Sequence, residues 1–507
     1  MRRASLPAAL WVAAAVISGF TMWRYLEPFD EGLLLQVATR IGDGQWPYAD
    51  FGWAYGPGQP LLVALAFKLF EPSVLAWRVE RVAVDATIAL LVWWLVRREA
   101  GPRWALVAWA AAAATIAQPT SANPAPLALA LGLGAVAVAA GGADPGARRA
   151  AAAGVLAALA AFWRPDLGVI AALAAVVVFG ARRAWPAAGV AAGVAALAGA
   201  ALYAPFAAVA GLPRLWDSLV AEAARDGAAW RLPFPLGYDG PLRAWPPGTL
   251  AEDLKDVLGF YLPVIGVVGL AAVATALVLR ARGRGDPPAP AEAGLGVLAL
   301  GALGYLLSRP DELHAQPLLV VLCALVPIAL AAAPRALAGV LIVCLALVLA
   351  GGAANRLSAL LQPPDLEPVR LAGVPSIRVP PSEARALPPM VALVQRLVPP
   401  GEPVYVAPRR SDLVTLTAPL VHFLVHRPNV LRRDALLQAR PAEQERIVAA
   451  LRRTRPRAVI RWLDPISSRP EPNERGRPSG SRALDEYLAA AYRPAGRFGA
   501  YEVLVPR

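Results

Sequence analysis

Of 507 residues, 57% are hydrophobic and 17% charged, more apolar side chain than the core of a soluble chain of this length can bury, so the composition excludes an ordinary soluble enzyme and points to a polytopic membrane protein. The net charge of +13 would suggest nucleic acid in a soluble protein. No aromatic-basic reader motif accompanies it, much of it sits as arginine pairs in short loops between apolar runs, where it orients helices, and nucleic acid is therefore excluded as a partner.

In chain order, about eleven runs are apolar and long enough to cross a bilayer, some only when short spans are allowed. They fall at 4–23, 74–96, 103–118, 125–142, 150–163, 167–181, 187–209, 257–280, 293–307, 315–332 and 335–352. Arg2 and Arg3 ahead of the first resemble the start of a signal peptide, but the many later spans favour an uncleaved first helix that begins in the cytoplasm. Basic groups follow at Arg97 and Arg98, Arg148 and Arg149, Arg182 and Arg183, and Arg280, Arg282 and Arg284. They occupy every second loop, which places those loops in the cytoplasm. The intervening loops share the outer face and gather Asp30, Glu31, Asp50, Arg164, Asp166, Arg309, Asp311 and His314 from distant parts of the chain.

The first outer loop, 28–60, is acidic, aromatic and punctuated by glycine. A carboxylate costs about 2.5–3.5 kcal/mol at mid-bilayer and little at the water boundary, so Asp30 and Glu31 belong at the membrane surface. Leu33, Leu34, Val37, Ala38 and Ile41 then recur at helical spacing, the pattern of a short amphipathic interfacial helix. Residues 61–70 form a short hairpin-like piece before the second span.

A carboxylate held there can act as general base toward an acceptor hydroxyl while a lipid-linked donor is attacked at its anomeric carbon. Asp30 or Glu31 fits that role. Each also fits a structural one, Asp30 as a helix cap and Glu31 as a charge complementing the helix dipole. A leaving polyprenyl phosphate needs cations at the same depth, for which Lys68, Arg78, Arg81, Arg164 and Arg309 are candidates. Arg81 and Asp85, four apart on one helix, satisfy each other in lipid, which leaves Arg78 the better phosphate ligand. Arg164 beside Asp166 reads either as a ligand or as a turn that snorkels to water.

In Ser308 to His314, Arg309 suits phosphate, Asp311 or Glu312 a metal or acceptor, and His314 phosphate or acceptor. A polar turn capped by Asp311 is the alternative. A divalent metal held by Asp30, Glu31 and His314 is a further option without reliable ligand spacing. Asp50 and the aromatic residues Trp46, Tyr48, Phe51, Trp53 and Tyr55 suit substrate contact, or else the aromatic belt of an interface. Cys323 and Cys344 fall in different spans and read as packing residues.

From 353 the long apolar runs stop and prolines cluster, which suggests a linker over 353–390 and a small α/β domain over 391–507. Strands are expected at 403–406, 457–462 and 501–505, helices at 441–452 and 483–490, and a loop at 473–480. His422 and His426 lack a third ligand and read as packing or surface residues. An odd number of spans puts this domain outside, so the fold class is an all-α membrane domain (1–352) with an extracytoplasmic α/β domain.

Phe29-Asp30-Glu31-Gly32, Gly44 to Phe51, Tyr55-Gly56-Pro57-Gly58 and the helix that carries Arg78 together resemble the first outer loop of the GT-C superfamily of integral-membrane glycosyltransferases, which includes the protein O-mannosyltransferases and the aminoarabinose transferase of lipid A. The resemblance implies an inverting hexosyl or pentosyl transferase of the plasma (inner) membrane. It implies a polyprenyl-phosphate sugar as donor, a cell-envelope glycan, lipid or protein as acceptor, and Asp30 as base, with Glu31 matching the second acid. A lipid or solute transporter or flippase, and an inactive membrane scaffold, are the rival readings; charges crowding one face and the lack of paired broken helices disfavour the transporter.

Overall fold

Alanine, leucine and valine dominate the apolar runs, and proline stands in the first turn of many of the helices they form, where its missing N–H costs nothing. The computed structural model describes residues 5–142, 144–284, 288–330, 333–434 and 440–507; Arg2 and Arg3 lie outside them. The membrane domain is built from α1 (Ser5–Gly19), α2 (Asp30–Gly42), α3 (Gly58–Leu69), α4 (Val74–Glu99), α5 (Pro102–Ile116), α6 (Ala125–Ala140), α7 (Ala147–Trp163), α8 (Pro165–Ala181) and α9 (Trp185–Ala210). A short α10 (Leu212–Trp216), a π turn and α11 (Glu222–Trp230) lead to α12 (Pro247–Arg284), α13 (Pro290–Ser308), α14 (Glu312–Leu330) and α15 (Arg335–Leu361). Helices stand at all eleven expected span positions. Five of them, α9 and α12 to α15, are long and apolar enough to cross a membrane by length and composition, and α1, α6 and α8 are shorter apolar helices; the chain is a multi-pass membrane protein.

Charge sorts the two ends of the bundle. Arg182 donates to the carbonyls of Ala139 and Gly141 at 2.8 and 3.0 Å, and Arg149 and Arg98 lie near enough to repel it. The interleaved basic loops therefore share one end. Loops of the opposite end converge on a cavity.

Residues 61–70 are not a hairpin: α3 is a helix packed on α2. The amphipathic α2 does form, but not as a helix lying free at an interface. Leu34, Leu35, Val37 and Ala38 are buried, because α2 is sandwiched between α3 and the C-terminal domain.

That domain starts earlier than composition suggests. Helix α15 runs on to Leu361, and within the expected linker β1 (Glu367–Pro368) pairs with β2 (Arg378–Val379) and α16 (Pro381–Leu397) begins. The prolines mask α16 in the sequence, yet Leu387, Met390, Val391 and Val394 give it a buried face, and packing overrides propensity. Beyond it lie β3 (Tyr405–Ala407), α17 (Leu420–Val425), α18 (Pro441–Thr454), β4 (Val459–Trp462), α19 (Ala483–Ala491), β5 (Tyr492–Phe498) and β6 (Tyr501–Pro506). The sheet order is β3-β4-β6-β5, with β3 and β4 parallel across α18 and the remaining pairs antiparallel. Strand β5 escapes sequence reading because it is a mostly exposed edge, bulged between Pro494 and Gly496. His422 is buried in α17, where burial and then the Arg40 charge push its imidazole down to about 3. It is a neutral packing residue. Cys323 and Cys344 are buried free thiols.

The two domains join through α2. The Leu420 N–H donates to the Pro28 carbonyl (3.2 Å), Arg40 binds Asp434 (2.8 Å), and Arg432 donates to the carbonyls of Ala49 and Asp50. Gly32 makes the contact with α17 possible, since a Cβ there would meet the Leu420 backbone nitrogen at 2.2 Å. Backbone cannot swing aside as a side chain can. Gly32→Ala is therefore expected to cost about 1–3 kcal/mol and to loosen the domain contact, read as a lower melting temperature and faster proteolysis between the domains.

Candidate active site

The chain leaving α1 must turn sharply to enter α2, and Arg78 of α4 organises that turn. Its Nε donates to Glu31 Oε1 (2.7 Å) and its Nη2 to Glu31 Oε2 (2.8 Å). The remaining donors go to the carbonyls of Met22 (2.6 Å) and Tyr25 (2.8 Å). Trp77 Nε1 adds a bond to Glu31 Oε1 (3.0 Å). Arg78 and Glu31 both have wholly buried side chains. This corrects two expectations: Arg78 is held within the fold instead of offered to a phosphate, and Glu31 faces Arg78, away from any shared metal with Asp30 and His314. The cause is physical, because a buried guanidinium with five donors requires a carboxylate and free carbonyls. Arg81 pairs with Asp85 (2.7 Å) as their spacing suggests.

One residue earlier, Asp30 has no hydrogen-bond or ion-pair partner for its carboxylate among the described residues. It is not the cap of α2. Glu27 takes that role, its Oε1 accepting from the Phe29 N–H (2.9 Å) and its Oε2 from the Glu31 N–H (2.8 Å). The Asp30 carboxylate opens into a cavity of about 1060 Å³. It is accessible there yet surrounded by protein. Burial raises its pKa above the ordinary aspartate value, opposed first by His314 and then by Arg309. Glu27 is pushed up to about 8, by burial first and then by the Asp30 charge.

His314 and Arg309 face Asp30 from the turn between α13 and α14. His314 Nδ1 is bound to Asp311 Oδ1 (2.7 Å), which leaves Nε2 as its remaining ring nitrogen. Arg309 Nε donates to Asp311 Oδ2 (2.7 Å), Nη1 to the Trp230 carbonyl (3.0 Å) and Nη2 to Glu471 (3.0 Å). Burial by itself would raise Asp311, but the His314 hydrogen bond and charge, with Arg309, hold it below the usual range. Asp311 thus stays ionised and orients both the Arg309 guanidinium and the His314 ring. Arg164, at the junction of α7 and α8, donates twice to Asp166 (3.1 and 2.8 Å). It lies over the rings of Tyr305 (4.6 Å) and Tyr55 (5.4 Å). Its Nη1 has no partner among the described residues.

The cavity has a second, apolar limb. Leu167, Ile170 and Leu173 of α8 and Val297, Leu300, Gly301 and Gly304 of α13 line it at helical spacing, over roughly 10 Å of helix at 1.5 Å per residue. Leu300 and Leu173 are 64% and 49% exposed. This limb therefore presents exposed apolar side chains. Its polar end meets Asp30, Arg164, Arg309 and His314.

Of the residues singled out in the sequence, Asp30, Tyr55, Arg164, Arg309, Asp311 and His314 line this cavity. Glu31, Asp50, Lys68 and Arg78 do not. Asp50 closes its own turn by accepting from the Trp46 N–H (2.7 Å), and Lys68 is exposed on α3. Tyr48 and Phe51 pack in a buried cluster with Phe206, and among the loop aromatics Trp53 and Tyr55 reach the cavity. Sequence reasoning misses Glu27, Asn123, Trp230 and Tyr305. It also misses what the C-terminal domain supplies: Leu416, Arg433 and Arg475 line the cavity, Arg433 pairing with Glu222 and Arg475 with Glu471 (2.7 Å). The expected loop at 473–480 is indeed irregular, but it carries Arg475 into the site, and Asn473 braces it on Trp230 and Glu471. A composition shift signals a domain, not which of its loops reaches a distant cavity. Among the described residues no group of three or more His, Cys, Asp or Glu side chains is placed to hold a metal ion.

No family model and no curated protein matches the sequence. Solved structures do match the fold. The structure of ArnT from Cupriavidus metallidurans bound to undecaprenyl phosphate aligns with a TM-score of 0.60 at 14% identity, covering 98% of this chain and 97% of that one. The archaeal oligosaccharyltransferase AglB from Archaeoglobus fulgidus, in complex with an inhibitory peptide and a dolichol-phosphate, aligns with a TM-score of 0.54 at 14% identity over 99% of this chain and 74% of that one. The arabinofuranosyltransferase AftD from Mycobacteria aligns with a TM-score of 0.52 at 17% identity over all of this chain and 40% of its own. The chain shares its overall fold with these solved structures.

Proposed function

We propose, from a fold shared with membrane glycosyltransferases, that this protein is an inverting glycosyltransferase that moves a sugar from a polyprenyl-phosphate donor to a hydroxyl of a cell-envelope glycan, lipid or protein. The observation that carries the reading is the Asp30 carboxylate, unpartnered among the described residues, set opposite cationic side chains at the head of an apolar limb. The limb suits a polyprenyl chain, and Arg164, Arg309 and His314 suit its phosphate. In the reaction Asp30 takes the proton of the acceptor hydroxyl, the acceptor oxygen bonds to the anomeric carbon from the face opposite the phosphate, and the anomeric carbon–oxygen bond breaks. The electron pair leaves on the polyprenyl phosphate, whose charge Arg164 and Arg309 offset, with His314 as a hydrogen-bonding partner. The cavity and C-terminal domain lie at the end opposite the basic loops, which by the charge bias of cytoplasmic loops makes both extracytoplasmic, in the plasma (inner) membrane.

Purified protein incubated with a panel of polyprenyl-phosphate sugars and envelope acceptors tests this reading. Sugar transfer with release of the carrier phosphate is expected for at least one pair; specific uptake or translocation of a lipid by reconstituted protein, with no bond broken, would overturn it in favour of a transporter.

Arg164→Lys separates charge from shape. Lysine keeps the charge but loses the fork on Asp166 and the stacking on Tyr305. A weakening of about 1.5–3 kcal/mol per charged hydrogen bond lost predicts donor KM raised on the order of 10- to 100-fold, with a smaller change in kcat. An unchanged donor KM would remove Arg164 from the phosphate site.

A further inference from the structure

Among the described residues the Asp30 carboxylate has no partner of its own in the cavity, so its backbone has to be fixed by something else. Phe29, the N-cap residue of α2, contributes no side-chain hydrogen bond to the helix start. Instead the N–H groups on either side of Asp30, those of Phe29 and Glu31, both end on the Glu27 carboxylate. The Glu27 N–H returns a bond to Glu31 Oε2 (2.9 Å), and Glu31 is anchored on α4 through Arg78 and Trp77. The result is a closed clasp: α4 holds Glu31, Glu31 holds the Glu27 backbone, and the Glu27 side chain holds the residues flanking Asp30. Outside the clasp, the Pro28 carbonyl is taken by Leu420 of the C-terminal domain.

We propose that Glu27 is a positioning residue for Asp30, fixing the first turn of α2 so that the Asp30 carboxylate stays in reach of the acceptor hydroxyl; this rests on the reading of Asp30 as the base. An error of about 1 Å in a reacting group can cost on the order of 10²-fold in rate, and that distance is what the clasp fixes. It does not line the donor cavity.

Glu27→Gln matches the shape of the side chain, but its amide nitrogen would face a backbone N–H, so one of the two clasp bonds is lost. The expected result is kcat lowered by about 10- to 100-fold with donor KM within about twofold and the melting temperature close to that of the native protein. Glu27→Asp, which keeps two acceptor oxygens, should recover part of the turnover. Because Glu27 acts through Asp30, Glu27→Gln placed on Asp30→Asn should cause no further loss. Native kcat in Glu27→Gln, a loss confined to donor KM, or a loss that multiplies with Asp30→Asn would each overturn the proposal. Should Glu27→Gln not yield folded protein, Glu27→Asp carries the test by the same split: reduced kcat at unchanged donor KM supports the clasp, and full turnover or raised donor KM overturns it. The underlying reading fails separately, if Asp30→Asn by itself transfers sugar at the native rate.

Discussion

Asp30→Asn should lower kcat for sugar transfer by about 10²- to 10⁴-fold, the range that a positioned general base contributes, while the protein folds as before. The asparagine keeps the shape and cannot take the acceptor proton. The carboxylate it replaces has no hydrogen bond or ion pair to lose among the described residues, and burial raises its pKa. A carboxylate with a raised pKa in the folded state favours folding when protonated and opposes it when ionised, so that contribution is lost as pH rises through the folded value. At neutral pH the substitution removes an unfavourable charge, and melting temperature should stay level or rise. In the native protein kcat/KM should fall as pH drops through the Asp30 pKa, because a base must be ionised, and burial places this limb above the ordinary aspartate range. Arg309→Gln, by removing one of the two charges that oppose that shift, should move the limb further up. Native turnover in Asp30→Asn would end the assignment.

Breaking the Glu31–Arg78 pair should act first on folding, and on turnover only through the clasp that places Asp30, not on donor binding. Removing one partner of a buried ion pair costs about 3–5 kcal/mol, because the other charge is left bare. Arg78→Ala also strips the carbonyls of Met22 and Tyr25 of their donor, so it should be the worse of the two, with Glu31→Gln milder. Melting of detergent-solubilised protein would show Arg78→Ala with a much lower transition or no monodisperse fraction. Arg78→Lys, where it folds, should bind polyprenyl phosphate as the native protein does. A folded Arg78→Lys that has lost donor binding would return Arg78 to the phosphate site.

These two residues show where reading along the chain stops. Glu31 and Arg78 are separated by an entire loop and α3, and each by itself looks like a free charge at a membrane boundary. Their pairing depends on how α1 ends against α4, which no local spacing records. Arg81 and Asp85 were legible because they lie four apart on one helix, where geometry is set by the helix itself. The same contrast runs through the cavity. Arg309, Asp311 and His314 sit within six residues, whereas Arg433 and Arg475 arrive from another domain.

Read along the chain, the residues place the helices, separate a basic end from the end that gathers the polar candidates, mark the main elements of the C-terminal domain and single out Asp30 as a candidate acid. Hydropathy and charge act on each segment as it meets lipid or water, so they can be read in order. Which charges are satisfied depends on the folded arrangement. It gave Glu31 to Arg78, closed Glu27 around the start of α2, stacked Arg164 on Tyr305, and left the Asp30 carboxylate facing Arg309 and His314 with no bonded partner among the described residues. A charge is neutralised by whatever packing brings within a few ångströms, and that neighbour is set by the whole fold.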